Sequence, residues 1–260
     1  MFSAEERCVY EKNQLEQVIC QLRFPEILTI ETKLPADFQE AIRADFPRYS
    51  ARKEQPAPKL TGAPGNVNLE KPQPVTNYQF ASEDGVWRVN LTRNFLSLAC
   101  TRYTRWEDFA GQLDKPLAAF IQIYKPAWFE RIGLRYVNAI SRKALGLEGE
   151  PFRNLIGERY LGILADEQIA ETGAIRASTD ADVAIRGGCR AKIHAGPGQV
   201  RRGNVPDPEV KFIFDQDLYM GGKVPVNLSA GALQTLHAQA FAIFRDAITD
   251  TLHNAMEPEA

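Results

Sequence analysis

Asp215 and Asp217, two residues apart in the run FDQDLYM, come nearest in type and spacing to a metal-binding or acid–base pair. On a strand they share a face. With a third carboxylate they would hold Mg²⁺. Asp180 and Asp182 repeat the spacing. The competing reading is hairpin carboxylates that face water. Nucleophilic catalysis needs a base beside the nucleophile, and the chain has three histidines, His194, His237 and His253. His194 falls near a strand end, while His237 and His253 are expected on the polar face of the last helix. No G-x-S-x-G elbow is present and no cysteine stands in a catalytic signature. The stretch HAGPGQ lacks the GK[ST] of a phosphate loop and reads as a hairpin loop. No motif calls for a cofactor.

Cations are the more distributed signal. Arg23, Arg88, Arg131, Arg135, Arg190 and Lys192 each alternate with apolar neighbours along strand-like runs. Period-two alternation puts them opposite the apolar face. If the strands share a sheet, these cations converge on its open face. Gln21, Asn90 and His194 would add hydrogen-bonding groups, and Arg201-Arg202 would extend the positive surface. Such a face suits phosphate, carboxylate or an acidic partner segment. The alternative is a solvated face whose arginines pair with Asp and Glu.

The elements that must carry these residues are legible in order. LEQVICQLRF (15–24) alternates as a strand, and Pro25 ends it. Pro35 opens a helix with Phe38, Ile42 and Phe46 on one stripe, closed by Pro47. Residues 51–76, rich in Pro and Gly, read as a long loop. A meander follows: Tyr78–Ser82, an Asp-Gly turn at Asp84-Gly85, Val86–Thr92, and Phe95–Thr101. Thr104-Arg105-Trp106-Glu107 fits a capping box ahead of a helix with Phe109, Leu113, Leu117, Phe120, Ile121 and Tyr124 on its stripe. Pro116 should kink this helix. WFERIGLRYVNAIS (128–141) is the long central strand. A helix is expected over 151–164, opened by Pro151. Gly187-Gly188 marks a turn before the strand Cys189–Ala195. Residues 196–208 form a second long loop and Val210–Tyr219 a further strand. Ser229 would cap the last helix, whose stripe of Leu233, Leu236, Ala240, Phe244, Ala247 and Ile248 runs on to about Leu252.

The two halves, 1–125 and 126–260, thus share the order β-α-β-β-β-α. Leu22-Arg23-Phe24 and Leu134-Arg135-Tyr136 occupy the same place in each opening strand. The expected fold is α+β: two pseudo-repeats packed as one unit, antiparallel sheet with two long helices on one face. Its topology resembles the duplicated saddle of the TATA-binding protein and the helix-grip proteins, a likeness that delivers no function by itself.

Composition narrows the class. With 44% hydrophobic and 25% charged residues the 260-residue chain is ordinary for a globular protein. A net charge of −2 does not support a nucleic acid as partner. No run approaches a membrane span. The opening MFSAEERCVYEKNQ has no apolar signal core. Cys8, Cys20, Cys100 and Cys189 lack metal-ligand spacing and read as reduced, mostly buried thiols of a cytoplasmic protein.

The blocks NQLEQVICQLRFPEIL, RIGLRYVNAI and FIFDQDLYM together resemble a family of uncharacterised prokaryotic proteins of about this length, sporadically distributed among bacteria. The resemblance implies a bacterial cytosolic protein and carries over no site residue. The reading that follows is a non-enzymatic binding or regulatory module whose partner is a protein or a second copy of itself, a nucleic acid being the alternative that the net charge does not support. It would use the open sheet face or the long loops. The alternative is an enzyme, metal-dependent or acting on a phosphorylated small molecule, that uses Asp215, Asp217 and the nearby arginines.

Overall fold

In chain order, the computed structural model, which describes residues 2–55, 59–61, 68–70, 73–203 and 205–259, forms strands β1 (Val9–Tyr10) and β2 (Leu15–Arg23), helices α1 (Leu28–Thr32) and α2 (Ala36–Ile42), and strands β3 (Arg48–Glu54), β4 (Lys59–Thr61), β5 (Asn68–Glu70), β6 (Val75–Ala81), β7 (Trp87–Leu91) and β8 (Phe95–Cys100). Helix α3 (Trp106–Tyr124) leads to the central strand β9 (Phe129–Ile140). Short helices α4 (Arg142–Leu145) and α5 (Glu158–Leu161) precede β10 (Thr179–Ile185) and β11 (Cys189–Gly198). The chain closes with β12 (Arg201–Arg202), β13 (Val205–Pro206), β14 (Lys211–Val224), α6 (Ser229–Ala247), α7 (Asp250–Ala255) and β15 (Pro258–Glu259). Among the described residues, nine strands make one antiparallel sheet in the order β10-β11-β14-β9-β2-β8-β7-β6-β3. Two-stranded pieces pair β1 with β15, β4 with β5 and β12 with β13.

Alternation decides which side of the sheet is covered. Val18, Cys20 and Leu22 of β2, Ile132, Leu134 and Tyr136 of β9, and Phe212, Phe214 and Leu218 of β14 are all buried on one side. The helices pack there. Phe120 of α3 meets Phe24 at 4.6 Å with tilted rings, Phe38 of α2 meets Phe80 of β6 at 5.5 Å, and Tyr160 of α5 meets Phe214 at 5.3 Å. One contiguous apolar cluster fills the layer between helices and sheet. Among the described residues no helix covers the opposite side.

Several local expectations are corrected. The capping box does not form. Arg105 is the N-cap of α3 without a side-chain bond, and the Thr104 hydroxyl instead donates to Asp108 at 2.8 Å. Pro116 does lie inside α3, as expected, and is buried. Ser229 is the first residue of α6 rather than its cap, and its hydroxyl donates back to the Val226 carbonyl. Helix α6 stops at Ala247, because Ile248 is extended, and Thr249 caps a separate α7 by accepting from the Leu252 amide. Residues 151–164 hold only α5 and short 3₁₀ turns. The loop expected over 51–76 begins inside β3, and β6 already starts at Val75. Residues 56–58, 62–67 and 71–72 of that stretch lie outside the described set. Strand β11 takes up Gly196 to Gly198 of the second expected loop. At Gly196 a Cβ would lie 2.4 Å from the Ala177 carbonyl oxygen, so only glycine lets the chain pass that close.

All four cysteines are free; Cys20, Cys100 and Cys189 are buried. Burial pushes the Cys20 thiol up to about 12. No helix among the described residues is long and apolar enough to cross a membrane.

Candidate functional site

The ladder registers place the predicted cations on the uncovered face. One transverse row reads Asp182, Lys192, Asp217, Arg135, Ile19, Ala99, Arg88, Ala81, Arg48 from β10 to β3. The adjoining row reads Ala184, Arg190, Tyr219, Gly133, Gln21, Ser97, Asn90, Gln79, Ser50. At about 4.8 Å per strand the face spans roughly 38 Å. Arg23 lies on it beside Arg131, its direct cross-strand partner. His194 lies opposite Asp180 and Asp215.

The β9–β14–β11–β10 end is neutralised from within. Arg131 Nη2 donates to both oxygens of Asp217, at 2.7 and 2.8 Å, and its guanidinium lies 4.5 Å above the Tyr219 ring. Arg135 holds Asp215 through two donors, Nε at 2.8 Å and Nη2. Arg190 reaches Asp182 at 3.2 Å, and His194 Nδ1 lies 2.8 Å from Asp180. Bidentate geometry makes the Arg135 pair one of the stronger surface contacts. It also holds the Arg135 guanidinium in its charged form. Gly133 makes the Arg131 contact feasible. A Cβ there would sit 2.2 Å from Arg131 Nη1, so the side chain lies in the slot that glycine leaves.

These bonds bear directly on the aspartates. The oxygens of Asp215 and Asp217 already accept from arginine, and no group of three or more metal-ligating side chains occurs among the described residues. The third carboxylate that Mg²⁺ would need is not found among the described residues.

The β2–β8–β7–β6–β3 end is different. Arg23 and Arg88 are exposed, and neither makes an ion pair with a described residue. The same holds for Lys192 at the other end, whose two facing aspartates are engaged by Arg190 and Arg131. Arg48, assigned to no element between Pro47 and the loop expected from residue 51, is exposed in line with Arg88. Gln21, Ser97 and Asn90 lie between them, with Asn90 donating to the Ser97 hydroxyl at 3.2 Å. Arg201 is exposed on β12, and the Arg202 side chain lies outside the described set.

On the helix side the structure assembles a polar group that the sequence reading placed in solvent. His237 is not on the polar face of α6: it is 7% exposed and stacks on Trp106 at 4.5 Å, nearly parallel. Its Nδ1 is 2.8 Å from the Tyr136 hydroxyl and its Nε2 2.9 Å from Arg7 Nη1. Guanidinium can only donate, so Nε2 accepts and Nδ1 carries the proton toward Tyr136. Burial, then the Arg7 charge, lowers the His237 pKa to about 4, in keeping with a neutral ring. Burial also raises the phenols of Tyr136 and the adjoining Tyr103 well above the ordinary range. His253 is half-buried, its Nδ1 2.8 Å from the Tyr10 hydroxyl. A sequence signal for His237 existed. Leu233, His237, Ala240 and Phe244 recur at 4-3-4 spacing, which puts the histidine within the core stripe.

A cavity of about 90 Å³ adjoins this group. The N-terminal segment, Tyr103, α6 and the covered faces of β9 and β14 enclose it.

No family model matches the chain, and neither does any curated protein.

Proposed function

We propose that this chain is a binding module whose uncovered sheet face receives an acidic protein segment at the β2–β8–β7–β6–β3 end. One observation carries this reading: Arg23, Arg48 and Arg88 stand exposed on that face without acidic partners among the described residues, separated by amides, hydroxyls and alanines. Unengaged guanidinium groups give bidentate sites for carboxylates without first breaking an internal pair. The net charge of −2 favours an acidic peptide over a nucleic acid, whose binders are usually basic throughout. No observation favours the enzyme reading, in which Asp215 and Asp217 would have to surrender their arginines.

The proposal includes a duplicated architecture with halves 1–125 and 126–260. Its support is the strand order read outward from the centre. β2-β8-β7-β6 on one side and β9-β14-β11-β10 on the other visit first, last, middle and second strands in the same sense, leaving β3 as an addition. A saddle-like shape and membership in the sporadic prokaryotic family belong to the same reading, the latter on the three sequence blocks alone.

Fluorescence anisotropy with a labelled glutamate-rich peptide tests the proposal. Binding should weaken as salt rises. A variant carrying R23E and R88E that folds and binds with unchanged affinity and salt dependence would end it. Tighter binding of an oligonucleotide of equal charge would replace the protein partner with a nucleic acid.

A further inference from the structure

The cavity behind the sheet is built differently from the open face. Its lining is mainly apolar, with Phe241, Phe244, Ala240 and Met256 on the helix side. Two polar features border it. Gln216 lies on the covered face of β14, 2% exposed, and its Oε1 has no hydrogen-bond partner among the described residues. A buried amide oxygen left unpaired is costly, and such atoms in folded proteins usually meet a partner. The second feature is a directed donor chain. Arg7 donates to His237, and His237 donates to Tyr136. The Tyr136 proton is therefore directed onward, to the adjoining Tyr103 phenol or the cavity.

Charge restricts what could sit between them. Among the described residues no carboxylate lines the cavity, and its two arginines are matched elsewhere, Arg7 by Glu107 at 2.6 Å and Arg105 by Glu259 at 3.5 Å. A charged guest would find no free counter-ion. The volume is below the ~150 Å³ of an apolar cavity that admits benzene, so only the head of a molecule is enclosed. The N-terminal segment forms one wall. β1 is paired with β15, and Glu5 is tied to Arg245 at 2.7 Å.

We propose that this cavity binds the head of a small neutral molecule, an alcohol, phenol or primary amide on an apolar body. Its N–H or O–H would donate to Gln216 Oε1 while its oxygen accepts from the tyrosine hydroxyls. The site is independent of the open face, being reached from the other side of the sheet.

Ligand-observed NMR on the full chain tests it with phenol, benzamide, toluene and benzoate. Phenol or benzamide should bind in preference to toluene and benzoate, by several-fold to about tenfold, the scale of one buried hydrogen bond. Gln216→Leu should erase that preference while melting no lower than the wild type, because it removes the unpaired acceptor. Ala240→Met fills the space from α6 and should abolish binding of all four probes. Failure of wild-type protein to bind any probe would overturn the proposal and leave a cavity that holds water only. So would retention of the phenol preference in folded Gln216→Leu, which would place the polar contact elsewhere. The R23E and R88E variant should bind phenol as the wild type does, and that separates this result from any failure of the peptide-binding reading.

Discussion

The two ends of the uncovered face share a strand pattern but not an electrostatic arrangement. From β9 to β10, Arg131, Arg135, Arg190 and His194 lie against Asp217, Asp215, Asp182 and Asp180. From β2 to β3, Arg23, Arg88 and Arg48 lie among Gln21, Ser97, Asn90 and alanines. In the first region the arginines are spent on their own sheet, where each exposed pair contributes little more than about 1 kcal/mol. In the second they remain available. A cation on an open strand face therefore indicates a binding surface only where its cross-strand and diagonal neighbours are not acidic. Arg135 and Arg88 look alike along the sequence, and only the register separates them.

The largest expected effect breaks the symmetry of the two ends. Reversing Arg23 and Arg88 together should lower affinity for the glutamate-rich peptide about a hundredfold at low salt. Arg135→Glu, which meets Asp215 first, should change it far less. Anisotropy titrations of both variants decide the point, and equal losses would mean that pairing does not matter.

Acid titration comes next and guards the comparison against a hidden variable. His237 lies on the other side of the sheet, with its folded pKa depressed to about 4 against an ordinary 6.5. The unfolded chain takes up this proton first as pH falls, so the contribution is full above about pH 6.5 and is lost toward pH 4. Between pH 8 and pH 5 the loss should be about 2 kcal/mol. Urea melts of the wild type and His237→Asn should show it, the variant with the flatter profile. Peptide binding is therefore best compared above pH 7.

A smaller effect sharpens the contrast. Replacing Asp215 and Asp217 with asparagine frees Arg135 and Arg131 and should make the paired end resemble the open one. Peptide affinity should rise several-fold with a steeper salt dependence, at a stability cost below about 1 kcal/mol per pair. An unchanged salt dependence would show that the freed arginines do not join the binding surface. Smallest of all, Gly133→Ala should push Arg131 out of its slot. The coupling between Arg131 and Asp217, measured by a double-mutant cycle, should fall toward zero with stability changed by about 0.5 kcal/mol or less.

Much of the sheet was legible because burial on one side imprints a two-residue period. Val18, Cys20 and Leu22, or Ile132, Leu134 and Tyr136, declare their side without any partner in view. Strand β3, RYSARKE, is exposed at every residue and so carries no such imprint. Its pairing with β6 could not be read, and with it went Arg48. The stretch 151–164 failed for the opposite reason. Phe152, Leu155, Tyr160, Leu161 and Leu164 are buried at near-helical spacing, yet Gly157 and Gly162 divide it into short turns. The open-face residues were placed by alternation, but their pairing was not, because diagonal contacts depend on register. His237 was misplaced because polarity was allowed to outweigh its position in the stripe. The cavity was out of reach, since residues 7–15 meet α6 and β9 only in three dimensions.

The adjacency of β2 and β9 at the centre of the sheet also governs the order in which the chain can be completed. β2 ends at Arg23 and its inner neighbour begins at Phe129, more than a hundred residues later. Closing so long a loop is slow, and until it closes β2 presents a bare edge of Ile19, Gln21 and Arg23 backbone, the even-numbered residues being bonded to β8. A nascent chain on the ribosome carries that edge from the time β8 pairs until residue 140 emerges. The growing molecule is most open to strand-for-strand association with a neighbour during this interval. Pulsed hydrogen exchange during refolding should find the β2–β8 amides protected before those shared by β2 and β9.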